Sequence, residues 1–193
     1  MNLKTLAAAA ALATLGSSAF AQAYVGIAAG ATNACVQSNV IGGCAKDAAT
    51  VKATVGYTWP GTDFAIEGIV DHLGTFKHGS SEGSSHFNVD TFGIGGAWRP
   101  QFGAGWGGVL RAGMDYGQVR TTTHYFDGPT PAKHADTSYT NGSWQPYVGA
   151  GLTYAITSNV SLEGGLDFTR IRTGSTGPSS TATALTIGLN FKF

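Results

Sequence analysis

The final nine residues alternate without a break. Leu185, Ile187, Leu189, Phe191 and Phe193 fall on one side of an extended strand, and Thr186, Gly188, Asn190 and Lys192 on the other. Successive side chains of a strand point to opposite faces, so a period of two gives one apolar and one polar face. The same rhythm sets Val51, Ala53, Val55, Tyr57 and Trp59 against Lys52, Thr54, Gly56 and Thr58, and Val25, Ile27, Ala29 and Ala31 against Tyr24, Gly26, Ala28 and Gly30. It recurs in Leu110, Ala112, Met114 and Tyr116 against Val109, Arg111, Gly113 and Asp115, and in Leu162, Leu166 and Phe168 against Glu163, Gly165, Asp167 and Thr169. Read this way the chain breaks into eight strands, at 24–32, 50–59, 64–73, 87–98, 106–117, 144–154, 160–170 and 183–193. Each has the length a tilted strand needs to cross a bilayer. The fourth is the least regular: turning Phe92, Ile94 and Trp98 to the apolar side carries Asp90 with them, which predicts a bulge there.

Connections alternate in length. Short turns fall at Pro60-Gly61-Thr62-Asp63, at 99–105 and at 155–159, whereas 33–49, 74–86, 118–143 and 171–182 are expected to be long loops. Tyr57, Trp59, Phe64, Trp98, Phe102, Trp106, Tyr154, Phe191 and Phe193 gather beside the short turns, where an interfacial aromatic girdle would lie. The fold class expected is all-β: an eight-stranded antiparallel up-and-down transmembrane β-barrel, apolar outside and polar within. A lipocalin-like barrel also has eight strands, but its bore is apolar and its exterior wet. The charges on the inward face here argue against it.

Composition agrees with strands. Gly supplies 29 of 193 residues and charged side chains only 11%. Glycine costs about 1 kcal/mol per helix-interior site, while a barrel uses it where strands bend or the bore is crowded. Residues 1–21 stand apart: Lys4, a short apolar stretch over 6–15 and Ala19-Phe20-Ala21 before Gln22 describe a secretory signal peptide, leaving 22–193 as one barrel domain. Residues 22–45 are uncharged, but Asn33, Gln37, Ser38 and Asn39 would need partners in hydrocarbon, so two strands and a loop are expected instead of a membrane helix. With Lys4 removed, 10 basic residues face 11 acidic ones. No basic field is left to recruit nucleic acid.

The inward face gathers Lys52, Glu67, Asp71, Arg111, Asp115, Glu163, Asp167, Asn190 and Lys192. Eight strands leave a bore just wide enough for side chains. These charges are therefore expected to pair into a lumen network, with a narrow gated pore or proton path as the alternative. Glu67 with Asp71, and Glu163 with Asp167, share a face but stand roughly 13 Å apart along a strand, too far for a catalytic dyad. Cys35 and Cys44 in an exported chain are read as a disulfide within the first outer loop. His72, His78, His86, His124 and His134 lie at or beyond the outer rim; zinc or haem capture by loops is the less favoured reading, and no metal or cofactor is expected. Ser84, Ser85 and His86 are adjacent but form no recognisable catalytic signature, so no enzyme is expected.

The YVGIAAG opening, the eight alternating segments, the short and long connections and the LTIGLNFKF close together resemble small bacterial outer-membrane β-barrels of the OmpA/OmpX-like superfamily. The resemblance implies residence in the cell outer membrane among lipids and lipopolysaccharide. It also implies that Leu185, Ile187, Leu189, Phe191 and Phe193 act as the C-terminal signal read by the barrel-assembly machinery. OmpA-type proteins continue into a peptidoglycan-binding domain, which is not expected here. The family includes adhesins, opacity proteins, serum-resistance proteins and structural barrels. It therefore implies a structural or surface-interaction role through outer loops, with an OmpW-like small transporter as the alternative and a lipid A-modifying enzyme less favoured.

Overall fold

The computed structural model describes residues 22–37, 42–80, 83–125, 137–172 and 179–193. The expected signal peptide lies outside them. The described residues form β1 (Ala23–Gln37), β2 (Gly42–Thr58), β3 (Phe64–Ser80), β4 (Gly83–Trp98), β5 (Gln101–Gly103), β6 (Trp106–Tyr125), β7 (Thr137–Ala155), β8 (Val160–Arg172) and β9 (Ser179–Lys192). Every pairing is antiparallel between neighbours, β9 returns to β1, and β4 pairs directly with β6. The result is a closed eight-stranded barrel. β5 is a three-residue piece of the turn between β4 and β6.

At the end carrying the short turns, the strands begin and end within about one residue of the sequence expectation. At the opposite end they run on. β6 continues from 117 to Tyr125 and β7 starts at Thr137 instead of 144. The expected loop at 74–86 is mostly strand, since β3 reaches Ser80 and β4 begins at Gly83. Alternation of apolar with polar side chains reports an apolar environment, and it stops where that environment stops. Backbone hydrogen bonding does not, so Thr121, Thr122 and Thr123 still pair with Tyr139, Ser138 and Thr137. Residues 38–41, 81–82, 126–136 and 173–178 lie outside the described residues.

The expected bulge exists but sits on the neighbouring strand. The β3–β4 register slips between His72 and Gly74, so Leu73 is the extra residue opposite Asp90 and Val89. Gly74 takes a φ of 102°, a left-handed conformation that a side chain disfavours, and a Cβ there would lie 2.6 Å from the Ala49 carbonyl oxygen. Asp90 keeps its outward position, with its Oδ1 2.6 Å from Nδ1 of His72. At the other end Pro60 and Gly61 occupy the centre of a turn closed by Thr62 N–H donating to the Trp59 carbonyl. Gly61 has a φ of 71°, as the second central residue of a type II turn requires.

The molecule is apolar outside and polar inside. Val55, Leu185 and Phe102 are 60–65% exposed, while Glu67 and Arg111 are 1% and 3% exposed. The expected girdle aromatics all lie on the outer surface near the short turns. Phe92 and Tyr116, both expected on the apolar face, meet Trp144 in a second aromatic group on β4, β6 and β7 towards the opposite rim, with ring centroids 5.3–6.1 Å apart. Trp144, the first residue of the expected sixth strand, belongs to this outward cluster.

Candidate functional site

The bore is the part of the molecule that concentrates chemistry, and period two along each strand sorts it into layers. β3 presents Ala65, Glu67, Asp71 and Leu73 in order from the turn end, β6 presents Val109, Arg111, Asp115 and Val119, and β8 presents Glu163, Asp167 and Ile171. β3 and β6 thus stack an apolar foot, an ionic ring, an acidic layer and an apolar cap, and β8 repeats the upper three levels.

The foot comprises Tyr24, Ala65, Ala97 and Val109. Above it two arginines and two glutamates close a ring. Arg99 donates from Nη1 to Glu67 Oε1 at 3.0 Å and from Nη2 to Glu163 Oε2 at 2.9 Å. Arg111 donates from Nε to Glu67 Oε2 at 2.6 Å and from Nη2 to Glu163 Oε1 at 2.5 Å. The Tyr24 hydroxyl adds a bond to Glu67, and Asn190 Nδ2 donates to Glu163 Oε2 at 2.9 Å. The Arg99 guanidinium also lies 4.6 Å from the centre of the Tyr24 ring. Every carboxylate oxygen of the ring is occupied and the charges cancel, which is what burial of ions demands.

The next layer is different. Lys52 pairs with Asp167, Thr50 donates to Asp71 Oδ1 at 2.9 Å and Thr169 donates to Asp115 Oδ2 at 2.6 Å. One lysine thus faces three aspartates. Tyr147 crosses the bore over Gly95 and Gly113, where any side chain would collide with its ring or hydroxyl. The cap consists of Ala34, Ala48, Leu73, Val89, Val119, Ile171, Ala182 and Ala184.

Lys52, Glu67, Asp71, Arg111, Asp115, Glu163 and Asp167 all face this interior, divided between ring and acidic layer. Glu67 and Asp71 separate into different layers, as do Glu163 and Asp167. Lys192 keeps the expected parity, standing opposite inward-facing Tyr24 on the β1–β9 ladder, but it is exposed at the turn end and forms no ion pair among the described residues. Arg99, which sequence reasoning left in a turn, supplies the second cation of the ring instead. Its position in a turn concealed that role, because a turn residue carries no strand parity to show which way it points.

Leu185, Ile187, Phe191 and Phe193 lie exposed on the outer surface, with Leu189 half-buried, and the Phe193 N–H closes the barrel foot by donating to the Ala23 carbonyl at 3.0 Å. The side chains of Cys35 and Cys44 lie outside the described residues, but the β1–β2 ladder sets the two directly opposite each other. Of the histidines, only His72 has a described side chain, and it faces outward. No three His, Cys, Asp or Glu among the described residues are placed to hold a metal ion.

No curated protein matches the sequence. Among solved structures, Neisserial surface protein A superposes with a TM-score of 0.66 at 20% identity over 89% of this chain and 97% of that one. The attachment invasion locus protein Ail of Yersinia pestis gives 0.55 at 14% identity over 89% and 99%. The outer membrane protease OmpT of Escherichia coli gives 0.53 at 10% identity over 93% and 99%. These likenesses are of fold. A sequence-family model, the outer membrane protein beta-barrel domain, matches residues 5–193, so the chain belongs to that family and resides in the outer membrane.

Proposed function

We propose that this protein is a sealed surface barrel with a structural or surface-interaction role, neither conducting solutes nor catalysing a reaction. The observation that carries the reading is the double closure of the bore, by the Arg99–Glu67–Arg111–Glu163 ring on the periplasmic side and the Leu73–Val89–Val119–Ile171 cap on the outer side. An aqueous path would need both opened, which speaks against an OmpW-like transporter. Catalysis lacks support because, among the described residues, the cavity beside the buried acids Asp71, Asp115 and Asp167 holds only about 30 Å3.

What remains is the exterior. The paired strands β6 and β7 are the longest hairpin, at 20 and 19 residues, and extend beyond the aromatic cluster that marks the outer interface. Their paired outer ends are the stalk offered to lipopolysaccharide or a surface partner. Replacing residues 126–136 by a Gly/Ser linker, leaving the stalk intact, is expected to abolish adhesion or serum survival while the protein still inserts. Unchanged adhesion, serum survival and envelope integrity would overturn the surface-interaction role. Planar-bilayer recording of the wild type is expected to show no discrete steps.

A further inference from the structure

We propose that the acidic layer of the bore binds one monovalent cation of sodium size together with water, held between the ionic ring and the apolar cap. The inference goes beyond the sealed-barrel reading and does not depend on how the exterior is used.

Charge comes first. The ring balances itself, but the layer above sets Lys52 alone against Asp71, Asp115 and Asp167, an excess of two negative charges when all are ionised. Lys52 is committed to Asp167. Asp71 and Asp115 accept bonds from threonine hydroxyls and form no ion pair among the described residues. Uncompensated charge in a site of low polarity is costly, and it is relieved either by taking up a proton or by a bound counter-charge.

Unmet hydrogen-bonding capacity supplies the second, independent observation. Asp115 Oδ1 and the Tyr147 hydroxyl have no partner, on residues only 5% and 6% exposed, and Asp167 Oδ1 is likewise unpartnered. Buried polar atoms left without partners point to something that belongs there. All three residues line one cavity, together with Lys52, Asp71, Thr91 and Thr169. Its volume of about 30 Å3 admits roughly two water-sized bodies. The cap above and ring below keep bulk water from substituting for an occupant.

The donor set selects the ion. Carboxylate, phenol and hydroxyl oxygens suit a hard cation. The carboxylate oxygens left without a partner at this cavity are Asp115 Oδ1 and Asp167 Oδ1, fewer than the ligand set a divalent cation demands. A monovalent ion satisfied by one or two carboxylate oxygens, neutral hydroxyls and water fits the volume and offsets one of the two excess negative charges.

The test is refolding of the full mature chain into detergent micelles at constant ionic strength and pH, in sodium chloride or choline chloride, followed by thermal unfolding. Choline is too large for the cavity and serves as the null salt. Sodium at about 100 mM is expected to raise the midpoint by about 3–5 °C over choline, saturably. Asp115→Asn, which keeps the shape and removes one charge, is expected to lose the sodium effect and to match sodium-loaded wild type in choline. Asp90→Asn, on the outer face, is expected to retain it. Equal midpoints in the two salts for the wild type, or an undiminished sodium effect in Asp115→Asn, would overturn the proposal. Because Asp115→Asn is also read in choline, a merely unfolded variant is recognised directly.

Discussion

At Glu67 the sum of small distances becomes a stability claim. Its two oxygens receive Tyr24, Arg99 and Arg111, and the residue is 1% exposed. Neutralising it by Glu67→Gln leaves two buried guanidiniums sharing one carboxylate. Removing one partner of a buried pair costs about 3–5 kcal/mol, because the uncompensated charge stays behind. Lys192→Met is expected to change stability by less than about 0.5 kcal/mol, since Lys192 is exposed and in no ion pair among the described residues. Urea unfolding in detergent compares the two; similar losses would mean the ring contributes nothing special. Gly74 makes a second claim. A methyl there meets the Ala49 carbonyl and the Ala48 side chain in a backbone conformation disfavoured for any side chain, so Gly74→Ala is expected to cost about 1–3 kcal/mol in the same assay.

A strand announces itself only where its two faces meet different surroundings. β2 was legible because Lys52 and Thr54 face the bore while Val51, Val55 and Tyr57 face lipid. The outer part of β6 was not, because Gln118, Arg120 and Thr122 carry no contrast with Val119 and Thr121 that a period of two would reveal. For the bore, parity along strands identified Glu67, Arg111 and Glu163 but was silent on Arg99, which lies between strands. It also missed the apolar cap: Leu73 keeps the parity of Glu67 and Asp71 but is the bulge residue at the strand's expected end, and Val119 lies past the last clear alternation. The first hairpin extends this reasoning to a prediction. Cys35 and Cys44 face each other across the β1–β2 ladder, and directly opposed residues on antiparallel strands bring their Cβ atoms within about 4.5–5.5 Å. A disulfide is expected, seen as a linked peptide pair in non-reducing mass spectrometry. Cys35→Ser with Cys44→Ser is expected to raise hydrogen exchange in the outer part of this hairpin and leave the bore strands unchanged. A free thiol at either position in protein purified from the envelope would contradict it.

The whole barrel turns on two closures of unlike chemistry placed in series along one axis. The ring is strong in charge but is made of long side chains that can swing apart. The cap is made of short aliphatic groups that exclude water by packing and offer it no partner. Barriers in series add, so the higher one governs passage, and opening one leaves the other in command. Leu73→Ala with Val119→Ala is therefore expected to produce no discrete conductance, because the ring still spans the bore. Arg99→Ala with Glu163→Ala, which removes equal and opposite charges and leaves the Arg111–Glu67 pair, is expected to be silent for the converse reason: the cap remains dry. Only the four substitutions together are expected to yield steps in planar bilayers, and those steps should favour cations, since Asp71, Asp115 and Asp167 line the path that opens. Steps from either pair alone would show that one closure does all the sealing. Silence from the combined variant, with the barrel shown folded by its heat-dependent gel mobility, would show that the acidic layer itself is the decisive barrier.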